Sequence, residues 1–165
     1  MTQEPNDAID TTHFGHYAGT GAKTTAMGGY GVNTVYNMAI DKVAKIYCVD
    51  ISGFDGVTFW TKAATAGNKV DVNFVVPETN AQQDGGDCVS NCYNHPRKEL
   101  TLTASWQQYA VTFAEAAGGT ATVQGRLQIL GWLSSDSNWD FSLDEIQLYK
   151  GTSPTGPARG SDGGP

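Results

Sequence analysis

The stretch LQILGWLSSDSNWDFSLDEIQLY (residues 127–149) decides the fold. Two apolar runs flank a Ser/Asp/Asn segment of turn formers, and this arrangement predicts two antiparallel strands that close a β-sandwich. The apolar positions of the second run change parity: Phe141 and Leu143 are odd, whereas Ile146 and Leu148 are even. Because strand side chains alternate between faces, the change predicts a β-bulge between the two pairs.

The preceding segments extend the same pattern. In KVDVNFVVP (residues 69–77) the positions 70, 72, 74 and 76 are apolar and face one way, while Asp71 and Asn73 face the other. Further strands are predicted at residues 22–27, 32–40, 57–63, 99–103, 106–113 and 123–133. About eight strands without a convincing helix predict an all-β, antiparallel β-sandwich over residues 13–150. Residues 1–12 are expected to form a flexible leader, and the Pro/Gly/Ser-rich residues 151–165 a linker within a longer modular chain.

Composition narrows the class of partner. The 165 residues suit one hydrophobic core, and 20 glycines with only 16% charged residues favour strands and turns. The net charge of -7 leaves no basic patch for phosphates, so nucleic acids and anionic membranes are poor partners. No run approaches the roughly 18 apolar residues that span a bilayer. A neutral or cationic ligand fits the chain better.

The three cysteines predict a compartment. Cys88 and Cys92 lie in CVSNC, where turn formers favour a small disulfide-closed loop. A zinc site would need two more soft ligands, and His95 alone does not complete one. Cys48, within the apolar run IYCVDI, is expected to be a buried free thiol. A disulfide indicates an oxidising compartment, so the protein is predicted to be secreted and extracellular.

Four segments together resemble a known family. They are FDGVTFW (54–60), VDVNF (70–74), the loop at 88–95 with LTLTASWQQYAVTF (100–113), and FSLDEIQLY (141–149). Over about residues 19–150 the chain is similar to bacterial carbohydrate-binding modules of the galactose-binding-like jelly-roll type. The resemblance implies a jelly roll with a ligand site on the concave face or in the loops at one edge, and often a structural calcium ion. Asp144 and Glu145 match the family's acidic pair near the last strand, which either binds calcium or holds the bulge.

Sugar recognition needs aromatic planes together with amides, carboxylates or arginine. The strand faces opposite the core are predicted to supply such groups. The even positions of residues 126–132 are placed on the ligand face, with Leu127 and Ile129 in the core. Trp139 is either a platform in a loop or an anchor for the last strand. The predicted ligand-binding residues are Asp71, Asn73, Gln108, Arg126, Gln128, Trp132 and Trp139.

Each of these residues has an alternative, purely structural role. The polar face would equally be solvated, with Arg126 in a salt bridge to Asp71 or another acid. Trp60 and Trp106 are predicted to pack in the core. His95, which has Asp87 and Asn94 nearby in the sequence, is predicted to brace the loop through a hydrogen bond rather than to bind ligand or metal.

The sequence therefore predicts a non-catalytic, monomeric carbohydrate-binding module that targets an attached catalytic domain to polysaccharide, with neutral β-glucan or xylan favoured. The alternatives are a jelly-roll polysaccharide lyase, a glycosidase fragment, and a structural adhesion or spacer domain. No G-x-S-x-G motif is present, and nothing places Asp71, Asp144 and Glu145 across a cleft. The acidic composition argues against polyuronate substrates.

Overall fold

A computed structural model describes residues 2–4, 14–20, 30–35, 40–41, 46–116, 121–134, 136 and 138–154. Two short 3-10 turns, Pro77–Thr79 and Gln82–Asp84, lie in the long loop before the ninth strand. The strands of this part of the chain are β1 (Thr2–Glu4), β2 (Phe14–Thr20), β3 (Tyr30–Val35), β4 (Ile40–Asp41), β5 (Ile46–Tyr47), β6 (Val49–Asp50), β7 (Gly56–Ala63), β8 (Lys69–Val75), β9 (Arg97–Thr101), β10 (Gln107–Thr112), β11 (Arg126–Leu127), β12 (Ile129–Ser134) and β13 (Asn138–Tyr149).

Two antiparallel sheets form the sandwich. One has the strand order β1-β2-β13-β7-β10, and the other has the order β3-β12-β8-β9. Eight of these strands follow the order of a jelly roll: they alternate between the sheets except at β8 and β9, which are neighbours in the four-stranded sheet, and the short β1 adds a ninth at one edge. The all-β antiparallel sandwich predicted from the sequence is confirmed. No helix in the described residues is long and apolar enough to cross a membrane.

Most residues of the predicted leader (1–12) and linker (151–165) lie outside the residues that the structure describes. β1 lies within residues 1–12 and pairs with β2, whereas residues 1 and 5–12 are outside the described residues. Of the predicted linker, residues 155–165 are also outside them.

The core lies between the inward faces of the two sheets. Val70, Val72 and Phe74 of β8 are at most 1% exposed, as their alternation predicts. The Phe59 and Trp132 rings meet edge to face with centroids 5.1 Å apart, which is the favoured geometry for aromatic pairs. Trp60 and Trp106 are 3% and 0% exposed, so their predicted burial is confirmed.

One strand assignment from the sequence is wrong. Residues 126–133 do not form one continuous strand, because the ladder breaks at Gln128 between β11 and β12. The Gln128 N–H instead bonds to the carbonyl of Val75. Alternation therefore restarts after the break: Leu127 is buried before it, and Leu130 and Trp132 are buried after it. Trp132 lies in the core rather than on the predicted ligand face, and Ile129 is only half-buried instead of facing the core.

The bulge predicted in the last strand is confirmed. The register of β13 against β7 shifts between Asp144 and Gln147. Glu145 has a φ of 46°, a left-handed conformation that is uncommon outside glycine. The Asp144 carboxylate accepts a hydrogen bond from the Glu145 N–H at 2.8 Å and so satisfies a donor that the bulge removes from the ladder.

The cysteine predictions are also confirmed. Cys88 and Cys92 form a disulfide with their Cα atoms 5.7 Å apart. Cys48 is a free thiol with 8% exposure, and burial raises its pKa. The loop between β8 and β9 is thus cross-linked by the Cys88–Cys92 disulfide.

Candidate functional site

The outer surface of the four-stranded sheet carries polar residues on adjacent strands. Because inward and outward positions alternate, the positions opposite the core residues of β8, β9 and β12 face away from the sandwich. We call this surface the strand face. Its described residues are Lys69, Asp71, Asn73, Val75, Arg97, Glu99, Thr101, Ile129, Gly131 and Leu133.

One row across the strand face combines a glycine, an amide and a guanidinium group. Gly131 pairs with Asn73, and Asn73 pairs with Arg97 on the next strand. Directly opposed residues of antiparallel strands have Cβ atoms about 4.5–5.5 Å apart, so the amide and the guanidinium group start from neighbouring positions. Gly131 is buried, Asn73 half-buried and Arg97 exposed, so the row opens to solvent toward β9. The backbone of Asn33 extends the same row on β3.

The Asn73 side chain has unused hydrogen-bonding capacity. Its oxygen Oδ1 is buried and has no hydrogen-bond partner within the described residues. A buried acceptor without a partner costs about 1–3 kcal/mol, so a donor at this oxygen would be stabilising.

The neighbouring row carries two carboxylates, whose charges are balanced by cationic side chains of the adjacent rows. Leu133 pairs with Asp71, and Asp71 pairs with Glu99. Lys69 Nζ lies 2.9 Å from Glu99 Oε1, and this hydrogen bond and the charge of Glu99 raise the pKa of Lys69. With Arg97, the strand face carries two cationic and two anionic side chains. It therefore presents no excess of either charge to a ligand.

Arg126 and Gln128 do not lie with Asp71 and Asn73, contrary to the prediction. Arg126 Nη2 donates to Asp87 Oδ2 at 3.0 Å and lies 4.0 Å from Glu78 Oε1. Gln128 Nε2 donates to the carbonyl of Gly85 at 2.8 Å. The alternative of a salt bridge to an acid other than Asp71 is the observed one. Both side chains hold residues 78–87 of the disulfide loop against the sandwich.

Gln108 is also separated from the strand face. It lies on β10 in the five-stranded sheet, opposite Trp60 of β7. The structure thus brings together only Asp71 and Asn73 of the predicted ligand residues, and it adds Arg97 and Glu99.

Arg97 was missed because the strand predicted from the sequence begins only at residue 99, and Glu99, although within that strand, was not assigned to a ligand face. A signal was present in RKELT, where Arg97, Glu99 and Thr101 alternate with Lys98 and Leu100. The burial pattern of β9 follows that alternation, with Lys98 and Leu100 the more buried positions.

His95 braces the loop as predicted. Its Nδ1 is 2.7 Å from Thr79 Oγ1, and Thr79 in turn is buried. Burial and the nearby charge of Arg97 lower the pKa of His95. The imidazole is thereby kept neutral in the folded protein near pH 7.

A second concavity lies at one end of the five-stranded sheet. This edge groove has a volume of about 710 Å³ and contains the predicted ligand residue Trp139. Trp139 packs against Phe141, with ring centroids 6.0 Å apart, and lies beside Gly19 of β2. The groove is lined by Ala18, Gly19, Ala64, Thr65, Asn68, Asn138, Trp139 and Asp140.

The carboxylates proposed for calcium are tied to the bulge. One oxygen of Asp144 accepts the Glu145 N–H, and among the described residues no group of three or more His, Cys, Asp or Glu side chains is arranged to hold a metal ion. Because calcium takes about six to eight oxygen ligands, an ion on Asp144 and Glu145 would need further ligands, such as backbone carbonyls or water. The hydrogen bond from the Glu145 N–H to Asp144 accounts for the pair's role in the bulge, and calcium binding by the pair stays a prediction.

Comparison with known proteins gives similarity in fold. No family model and no curated protein matches the chain. A family 11 carbohydrate-binding module from Clostridium thermocellum, solved with a β-1,3-1,4-mixed-linked tetrasaccharide, has 13% sequence identity and a TM-score of 0.45, with 83% of this chain and 88% of that chain covered. The family 11 module of a cellulosomal cellulase of the same organism has 17% identity and a TM-score of 0.47, with 92% and 96% covered. Both neighbours are carbohydrate-binding modules, the class that the sequence resembles.

Proposed function

We propose that the protein is a non-catalytic carbohydrate-binding module whose strand face binds a neutral polysaccharide. The observation that carries the proposal is the row Gly131, Asn73 and Arg97 on adjacent strands. An amide and a guanidinium group side by side can donate to and accept from the vicinal hydroxyls of a sugar. Gly131 adds no side chain to this row, and the apolar Ile129 and Leu133 offer contact for the C–H groups of a sugar ring.

The charge balance of the strand face indicates the class of glycan. Lys69 and Glu99 form an ion pair at 2.9 Å, and Arg97 and Asp71 add one charge of each sign to the same face. Such a surface has no net attraction for a polyuronate. Neutral β-glucan and xylan are therefore the proposed ligands.

The proposal also covers the localisation of the protein, its oligomeric state and its partner domain. The Cys88–Cys92 disulfide supports secretion, since such bonds persist in oxidising compartments. We infer that the module acts as a monomer and that an attached catalytic domain is the partner it brings to the polysaccharide. The Pro/Gly/Ser-rich residues 151–165 support that connection by their composition.

The catalytic alternatives find less support in the arrangement of side chains. A glycosidase needs two carboxyl groups across the scissile bond. Asp71 lies on the four-stranded sheet and Asp144 on the five-stranded sheet. A lyase would need an arginine and an amide together to neutralise a uronate, but Arg126 does not lie with Asn73 and is engaged by Asp87 of the disulfide loop.

Two matched arginine variants test the proposal. We expect Arg97→Ala to weaken binding of a neutral gluco- or xylo-oligosaccharide about 10-fold or more, because a hydrogen bond to a charged group is worth about 1.5–3 kcal/mol. Arg126→Ala, which removes the same charge from the loop contact, is expected to leave affinity within about 2-fold, since an exposed ion pair contributes about 0–1 kcal/mol to stability alone. Isothermal titration with cellotetraose, xylotetraose and the mixed-linked β-glucan tetrasaccharide measures both.

Two results would contradict the proposal. Equal losses in the two arginine variants would move the site away from the strand face, and no binding to any neutral oligosaccharide would reject a module of this specificity. Release of reducing sugar from the same polysaccharides would instead establish a glycosidase.

A further inference from the structure

We propose that His95 is a positioning residue of the strand face: its protonation moves Arg97 away from Asn73 and thereby weakens glycan binding. The inference rests on the proposed function, since Arg97 matters to a glycan only if the strand face binds one. It adds a regulation of that site by pH, which His95 exerts through Arg97.

His95 and Arg97 are neighbours along the edge of the four-stranded sheet. Asn73 pairs with Arg97, and the Phe74 N–H bonds to the carbonyl of Pro96 at 2.9 Å, so the ladder extends beyond the start of β9. The residue before a proline favours an extended backbone, and alternate residues of an extended chain share a side. Pro96 is buried, whereas His95 is half-buried and Arg97 exposed. Two residues of extended chain span about 7 Å, close enough for one charge to act on the other.

A hydrogen bond to Thr79 fixes the imidazole ring. His95 Nδ1 is 2.7 Å from Thr79 Oγ1, and Thr79 Oγ1 donates to the carbonyl of Val76 at 3.1 Å. A hydroxyl group has one proton, so Thr79 accepts the proton on Nδ1. The second proton of the imidazolium ion is then added at Nε2, and the bond to Thr79 survives protonation. Protonation therefore changes the charge beside Arg97 without releasing the loop.

Arg97 is the charged group that acts on the imidazole. Burial and the positive charge of Arg97 lower the pKa of His95, so the ring is neutral near pH 7. β8 presents the uncharged Asn73 and Val75 to this segment, and the turn after β8 presents the Thr79 hydroxyl. An effect of one charge on the other is mutual, so a protonated imidazole also repels the guanidinium group.

The carboxylates of the disulfide loop are engaged by other groups. Glu78 Oε1 lies 4.0 Å from Arg126 Nη2, and Asp87 Oδ2 accepts from the same nitrogen at 3.0 Å. Tyr93 meets the imidazole edge to face with ring centroids 6.3 Å apart, and its hydroxyl donates to Asp84 Oδ2 at 2.7 Å. These acids are thus bound to partners other than the imidazole.

The charges on either side of Arg97 give the displacement a direction. Beyond Arg97 on the same side of β9 lies Glu99, which pairs with Asp71 of β8. Protonated His95 places a cation on one side of Arg97, while two carboxylates lie on the other. The guanidinium group is therefore driven along the strand toward the acidic row and away from Asn73. A sugar that bonds to the amide and the guanidinium group together loses part of that arrangement.

Isothermal titration at pH 7.5 and pH 5 tests the inference. The ligand is the tightest binder among cellotetraose, xylotetraose and the mixed-linked β-glucan tetrasaccharide, at a temperature where the protein is folded. We expect the Kd of the wild type to rise about 3- to 10-fold at pH 5, the range that loss of one hydrogen bond covers. In His95→Gln and in Arg97→Ala the Kd should be the same at the two pH values. His16→Gln, a control on the five-stranded sheet, should keep the pH dependence of the wild type.

A second measurement on the wild type is independent of how well the variants fold. If protonation weakens binding, binding must oppose protonation. The pKa of His95, followed by NMR of its imidazole, should therefore be lower in the saturated complex than in the free protein. A histidine that only braces the loop would have the same pKa in both.

The outcomes separate this inference from the proposed function. Binding with one Kd at both pH values in the wild type would overturn the regulation and leave the proposed function intact. A pH dependence that persists in His95→Gln would overturn the role of His95, and one that persists in Arg97→Ala would show that His95 does not act through Arg97. No binding at either pH would overturn both proposals.

Discussion

Replacing Trp132 with alanine tests whether the strand break at Gln128 directs the Trp132 side chain into the core, as the structure shows. Trp132 is 1% exposed and meets Phe59 edge to face across the core. Truncating a buried tryptophan to alanine costs about 3–5 kcal/mol. For a chain of this length each kcal/mol lowers the thermal midpoint by about 2–4 °C, so the expected drop is about 6–20 °C.

Leu133 provides a matched control, because it is the next residue and faces the other way. It is half-buried on the strand face opposite Asp71. Leu133→Ala should lower stability by less than Trp132→Ala. It should weaken glycan binding by about 4-fold or more, since each CH₂-sized group that the ligand no longer buries is worth about 0.8 kcal/mol and the change removes three carbon atoms.

Unfolding in urea, monitored by tryptophan fluorescence, gives the stability of each variant, and titration at a temperature where both are folded gives the affinity. We expect Trp132→Ala to lose stability and retain affinity, and Leu133→Ala to show the reverse order of effects. A Trp132→Ala variant with an unchanged midpoint and no glycan binding would refute the reasoning, because the indole would then belong to the ligand face.

Three further outcomes are expected. Cys88→Ser with Cys92→Ser should cost about 2 kcal/mol, the chain-entropy value for a loop of about five residues, and lower the thermal midpoint by about 4–8 °C; the same midpoint with and without a reductant in the wild type would contradict this. Because the pKa of His95 is lowered in the folded state, the contribution of His95 to stability is complete above about pH 6.5 and is lost as the pH falls through the pKa of the folded state. Between pH 7.5 and 5 the thermal midpoint should therefore fall more steeply in the wild type than in His95→Gln. Excess chelator should leave the midpoint unchanged if Asp144 and Glu145 only close the bulge, whereas a lower midpoint would show a metal site.

Local patterns in the sequence were sufficient for much of the fold. The alternation of Val70, Val72 and Phe74 identified a core strand, and the spacing of Cys88 and Cys92 identified the disulfide. Such features depend on residues within a few positions of one another. Strand alternation and a short covalent loop are both local, so tertiary structure had little opportunity to override them.

The candidate sites are formed by residues that are far apart in the sequence, so local sequence patterns do not predict them. The edge groove brings residues near position 18 together with residues near 64 and 139. Arg126 was expected on a ligand face because arginine suits sugar hydroxyls, yet Asp87, far earlier in the chain, binds it. Only the folded arrangement distinguishes an arginine that braces a loop from one, such as Arg97, that lies open on a strand face.

The two irregularities of the last strands show why one could be predicted and the other could not. Around Glu145 the apolar positions change parity once, from Phe141 and Leu143 to Ile146 and Leu148, and only a bulge reconciles both pairs with one core. Around Gln128 apolar residues occur at both parities, so a continuous strand and a broken one bury similar numbers of them. The choice is made by pairing with β8, which places Val72 opposite Trp132 and directs both into the core. The residues available to a ligand on this sheet are therefore fixed by register with a distant strand, and Asp71, Asn73 and Arg97 share a face because β8 pairs with both β12 and β9.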